Sequence, residues 1–170
     1  MNIFLFHDRG EDPENLEPFV ELLKKFLPDS RFIVPYLPHY NIGIKLVDSL
    51  QFILTRQYFP SNSVIVGVGI GGLLAAKFQE DYRKDITVIA IASPTHAEDI
   101  QLREKIDQRW AIFSSHDKQL VSSDNWEDFT TFVCQYTPLL FHDINVSKYN
   151  LAYIISQYLK GKEFVDHFVM

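Results

Sequence analysis

The sequence predicts an α/β fold of three layers, with a mainly parallel six-stranded sheet held between two layers of helices. Three observations carry this. Short apolar runs alternate with helical segments from end to end. The runs are nearly continuous in Val, Ile, Phe and Leu, as in strands covered on both faces. The segments between them are long enough for crossover helices.

The expected strands are Ile3–Phe6, Arg31–Val34, Ser63–Val68, Ile86–Ala92, Trp110–Ser114 and Leu139–Phe141. The first helix has the clearest signals. Asp12 caps it, Pro13 suits its first position, and Glu14 favours the positive end of its dipole. Leu16, Phe19, Val20, Leu23, Phe26 and Leu27 then recur at three- and four-residue spacing, which makes one buried stripe, and Pro28 ends the helix. Further helices are expected over Ile44–Tyr58, Gly72–Tyr82, Ala97–Gln108, Ser123–Tyr136 and Lys148–Leu159, giving six β–α units. With no repeat, low-complexity tract or linker, residues 1–170 read as one domain. Its short tail, 161–170, is amphipathic through Phe164, Val165, Phe168 and Val169 and is expected to dock on the sheet's flank or on a partner subunit.

The 170 residues are 46% hydrophobic and 22% charged, which excludes a disordered or fibrous class. A net charge of −6 argues against nucleic acid or an anionic membrane as the main partner. The one cysteine, Cys134, excludes an internal disulfide and any CxxC motif. Placed after Phe129, Phe132 and Val133, it reads as a buried structural residue within the helix expected there. No apolar run approaches the ~20 residues of a membrane span, and the first residues lack the basic region of a signal peptide. A cytoplasmic protein is the expectation.

In a parallel sheet, the loops after the strands gather at one rim, and ligands bind there. Here those loops contain His7-Asp8-Arg9-Gly10, Tyr36-Leu37-Pro38-His39-Tyr40, Gly69-Ile70-Gly71-Gly72, Ser93-Pro94-Thr95-His96, Ser115-His116-Asp117 and His142-Asp143. Five of the six histidines fall in them. The spacings HxH, HxxxH and HExxH are all missing, so no metal is assigned. Gly67-x-Gly69-x-x-Gly72 also fits the dinucleotide fingerprint. However, no acid follows the next strand, and Asp85 precedes it, so no cofactor is assigned.

Val64-Ile65-Val66-Gly67-Val68-Gly69-Ile70-Gly71-Gly72 resembles the nucleophile elbow of the α/β-hydrolases, where a strand runs through G-x-S-x-G into a helix. Ile3-Phe4-Leu5-Phe6-His7-Asp8-Arg9-Gly10 resembles that superfamily's strand ending in His-Gly, whose loop helps build the oxyanion hole. Tyr36-Leu37-Pro38-His39-Tyr40 resembles its D-L-P-G-H segment. The resemblance implies a strand order of 2-1-3-4-5-6, with the site at the reversal between strands one and three. It also implies a small scaffold without the lid and the two N-terminal antiparallel strands of larger members. It places Asp117 and His142 at the acid and base positions of a triad, and His7, Asp8, Arg9 and Ile70 in the oxyanion-hole region.

The departures from the pattern matter most. Gly69 stands where the superfamily has its serine, and glycine cannot form an acyl-enzyme. Asp8 stands where glycine is common, beside amides that should face a developing negative charge, which Arg9 or a histidine would have to offset. Ser93, Ser114 and Ser115 are possible substitute nucleophiles but read as turn or cap residues. The resulting expectation is a pseudo-hydrolase, a non-hydrolytic binding or interaction protein. Its small, esterase-like pocket has Gly69 as floor and Ile70's amide ready for the oxygen of an acyl or ester-like ligand. A protein partner or homo-oligomer also fits. The alternatives are a divergent hydrolase using His142 and Asp117 for general acid–base chemistry, or an esterase whose serine was replaced at position 69.

Overall fold

The computed structural model describes the backbone of residues 1–114, 126–136 and 148–167, and side-chain surroundings at 1–113, 126–130 and 148–161. Its elements are β1 (Asn2–Phe6), α1 (Glu17–Phe26), β2 (Arg31–Ile33), α2 (Leu46–Arg56), β3 (Val64–Val68), α3 (Ile70–Tyr82), β4 (Thr87–Ile91), β5 (His96–Ala97), β6 (Ile100–Gln101), β7 (Ile106–Ser114), β8 (Thr130–Tyr136) and α4 (Lys148–His167). The main sheet has the order β2-β1-β3-β4-β7-β8, with every neighbouring pair parallel. This is the expected order 2-1-3-4-5-6 when the six sheet strands are counted in sequence.

Alternate residues of β1, β3, β4 and β7 feed two separate cores, as the two-residue period requires. Ile3, Leu5, Val64, Val66, Ile89, Ile91 and Ile112 pack under α1 and α4 with Phe19, Leu23, Leu151 and Ile155. Phe4, Phe6, Ile65, Val88, Ala90 and Ala111 pack under α2 and α3 with Leu46, Ile53, Leu73 and Leu74. Burial on both faces is the reason the strands read as unbroken apolar runs. Asp12 accepts from the Glu14 amide at 2.9 Å and caps a 3-10 turn over Pro13–Leu16 that leads into α1. The capping signal was legible, although the first turn is tighter than an α-helix.

Two expected helices are strands. Ala97–Gln108 instead contains the antiparallel hairpin of β5 and β6 and the first residues of β7. Ser123–Tyr136 contains a 3-10 turn at Trp126–Asp128 and then β8, so Cys134 lies in a strand. The six-unit β–α count is corrected accordingly: β4 reaches β7 through a hairpin, not a helix. The sheet's sixth strand is Thr130–Tyr136, whose β-branched and aromatic content suits a pleated surface. The expected strand at Leu139–Phe141 lies outside the described residues.

Arg109 conceals the start of β7. It is a charged residue with no solvent exposure, held on β7 by bonds to the carbonyls of Ala76, Glu104 and Phe129 and to Gln79 and Glu80. No helix among the described residues is long and apolar enough to cross a membrane.

Candidate functional site

The chain leaves β1 for β2 on one side and returns to β3 on the other, so the C-terminal ends of β1 and β3 flank the reversal of strand order. Gly69 follows β3 and caps α3 with φ +57° and ψ −125°, a left-handed backbone that glycine adopts at little cost. Its amide donates to the Ile91 carbonyl at 2.9 Å, and its carbonyl accepts from the Gly72 amide at 3.0 Å. A Cβ on Gly71 would overlap the carbonyl oxygens of Phe6 and His7, and one on Gly67 would overlap the backbone of Gly71 and Gly72. α3 therefore packs backbone against backbone on β1 and β3. The expected bend from strand to helix is present, and residue 69 is at its apex.

Asp8 fills the space above that apex. A Cβ built on Gly69 would fall on the Asp8 carboxyl group. Asp8 Oδ1 accepts from the Ile70 amide at 2.8 Å and from the Arg9 amide at 2.7 Å. Ile70 is the first residue of α3, so the carboxylate also lies at the positive end of the helix dipole. The Ile70 amide, expected to face a ligand, is engaged by this bond. The same two amides stabilise the Asp8 carboxylate itself.

Arg9 turns its guanidinium to Glu98 instead of to Asp8. Its Nη2 donates to Glu98 Oε1 and Oε2 at 2.9 and 3.0 Å and to the Ile44 carbonyl at 3.0 Å. Glu98 Oε2 also accepts from the amide of Leu46, the first residue of α2, at 3.0 Å. Hydrogen bonding from Arg9 holds the Glu98 carboxyl below its ordinary range, and the Leu46 amide acts in the same direction. No local pattern marks this residue's role, because Glu98 falls within the helix expected over Ala97–Gln108.

His7 and His39 stack, with ring centroids 4.5 Å apart. His7 Nε2 accepts from the Leu37 amide at 3.0 Å, so its Nδ1–H donates to the Asp8 carbonyl at 2.9 Å. His39 Nε2–H donates to the His7 carbonyl at 2.7 Å, and its Nδ1 faces Ser49 Oγ at 3.3 Å. Burial lowers both pKa values, that of His39 to about 4, so both rings are neutral at pH 7. They brace the loop that carries Asp8.

The remaining candidates divide simply. Ser93 is buried: its Oγ donates to the Ile91 carbonyl at 3.2 Å, and its own carbonyl accepts from Trp126 Nε1 at 2.8 Å. That makes it part of the frame. His96 is exposed on β5. Asp117, His142, His116, Ser115 and Asp143 lie outside the described residues, as does the tail's end. Among the described residues, no three His, Cys, Asp or Glu side chains converge as metal ligands would.

No family model matches the chain, and no curated protein matches it in sequence. Solved structures do match. Est1E from Butyrivibrio proteoclasticus, determined with ferulic acid bound, is 12% identical with a TM-score of 0.67 over 94% of this chain and 88% of that one. A carboxylesterase from Mesorhizobium loti is 13% identical with a TM-score of 0.60 over 94% and 88%. The RedJ thioesterase of the prodiginine pathway in Streptomyces coelicolor is 13% identical with a TM-score of 0.61 over 92% and 89%. Together with the strand order and the bend at residue 69, these likenesses show that the chain has the α/β-hydrolase fold.

Proposed function

We propose that this protein is a non-hydrolytic member of the hydrolase-fold proteins, acting by binding or interaction and not through an acyl-enzyme. One observation supports the reading above the others: a side chain at residue 69 would have to occupy the volume of the Asp8 carboxyl group. The turn carries no hydroxyl, and a side chain placed there would have to displace the Asp8 carboxyl group. Of the partners left open by the sequence, a protein surface or second copy fits this site better than an acyl or ester-like ligand. The Ile70 amide that would hold the ligand's oxygen is engaged by Asp8. The net charge of −6 and the lone cysteine support a cytoplasmic setting without nucleic acid.

A fluorophosphonate probe tests the proposal. The native protein is expected to remain unlabelled and to show no turnover on a panel of esters and thioesters. Labelling at any serine, or turnover that disappears in His142→Ala, would overturn the non-hydrolytic reading.

A further inference from the structure

We infer that Asp8 is the site's built-in ligand: a tethered carboxylate that occupies the cradle of the Arg9 and Ile70 amides and thereby excludes external acyl and carboxylate oxygens. Three features converge on this one group. It takes the volume above Gly69. A single oxygen, Oδ1, accepts from both amides, at 2.7 and 2.8 Å. The residue is also held from behind, since its carbonyl accepts from His7 Nδ1–H at 2.9 Å and from the Glu11 amide at 3.3 Å. The side chain is thus fixed by its own backbone where a ligand oxygen would sit.

The chemistry of the cradle defines the class it accepts. Two convergent N–H donors, one of them at the start of α3, select a negatively charged or strongly polarised oxygen. A covalently attached carboxylate competes at a high effective concentration, which favours it over a free one by about a hundredfold or more. Asp8 is therefore the residue that sets specificity at this rim, and a short free carboxylate is the ligand that should replace it when its side chain is removed.

The test compares the native protein with Asp8→Gly, using acetate as the probe and chloride and acetamide as controls. In Asp8→Gly, acetate should shift the Arg9 and Ile70 amide resonances saturably. At roughly ten times its Kd it should raise the melting temperature by about 3–6 °C, the linkage expected of a ligand bound only by the native state. The native protein should bind acetate at least about a hundredfold more weakly. A folded Asp8→Gly whose two amides ignore acetate overturns the inference. If Asp8→Gly does not fold, the native protein decides. The Arg9 and Ile70 amide shifts should follow one shared midpoint as Asp8 titrates, and separate midpoints or no response would overturn it. The inference rests on the preceding proposal only in taking this turn as the site. Fluorophosphonate labelling of the native protein would end that proposal and leave the acetate titration standing.

Discussion

Arg109 Nη2 lies 3.3 Å from Glu80 Oε2, and the two side chains are 0% and 2% exposed. All five guanidinium N–H groups have acceptors, because Nε reaches Gln79 at 3.0 Å, Nη1 reaches the Glu104 and Phe129 carbonyls, and Nη2 also reaches the Ala76 carbonyl. Glu80 is satisfied in turn by the Arg103 amide at 2.9 Å and by Lys77. The cluster ties the end of α3 to β7. Arg109→Met removes one of the two cations that face Glu80 and leaves Gln79 and three carbonyls without this donor, so it should lower stability by about 3–5 kcal/mol. Adding Glu80→Gln should recover part of that loss. Urea unfolding of the three proteins checks both expectations, and an Arg109→Met midpoint close to the native one would show that the pair is not a lock.

The stacked imidazoles make stability depend on pH in a definite direction. The folded pKa of His39 is about 4, below the 6.5 of the free side chain. Between those values the unfolded chain binds more protons than the native one, so stability is full above about pH 6.5 and falls as pH drops. From about pH 7.5 to about pH 5 the loss from His39 should reach ~2 kcal/mol. His7, lowered by its own burial, acts in the same direction. Denaturant midpoints across this range in the native protein and His39→Gln measure it, and the variant should have the flatter profile.

Gly69→Ala should destabilise the fold by about 2–4 kcal/mol, combining a left-handed alanine with overlap on Asp8. In an Asp8→Gly background the overlap term vanishes while the backbone term remains. The cost of Gly69→Ala should then shrink by about 1 kcal/mol or more, a coupling that a double-mutant cycle in urea reads directly. Additive costs would mean that the two positions do not share space.

Glu98 joins three elements through Arg9 and the first turn of α2. Glu98→Ala should cost about 1 kcal/mol, the scale of a lost helix cap with a half-exposed ion pair. Raising the salt concentration should reduce only the ion-pair share. If thermal melts of native protein and variant coincide at low salt, the bridge has no structural weight.

Much of the scaffold was legible because two-sided burial leaves an unmistakable trace. Val64–Val68 and residues 88–91 carry no polar side chain, which marks them as strands covered on both faces, while the strand order and the bend came from the resemblance to the α/β-hydrolases. The fourth connection and the helix expected over Ser123–Tyr136 differ from expectation for another reason. Arg109 and Asp107 interrupt β7 with charge, and a guanidinium satisfied by carbonyls far apart in sequence leaves no local pattern. Phe129, Phe132 and Val133 have a spacing that suits a helix as well as a strand, and only pairing with β7 decides between them. At the site, Gly69 and Asp8 were both recognisable as departures. That one fills the space left by the other is a matter of tertiary placement and could not be read from either position alone.

The backbone contact of α3 with β1 and β3 limits how this scaffold can be reshaped. Because Gly67 and Gly71 meet main-chain atoms and Gly72 meets Ser93 and the Gly67 carbonyl, even one added methyl there would wedge the helix away from the sheet. A laboratory library aimed at installing new chemistry should hold those three glycines constant and randomise positions 8 and 69 together, since this rim offers diversity only where side chain, not main chain, is the obstacle.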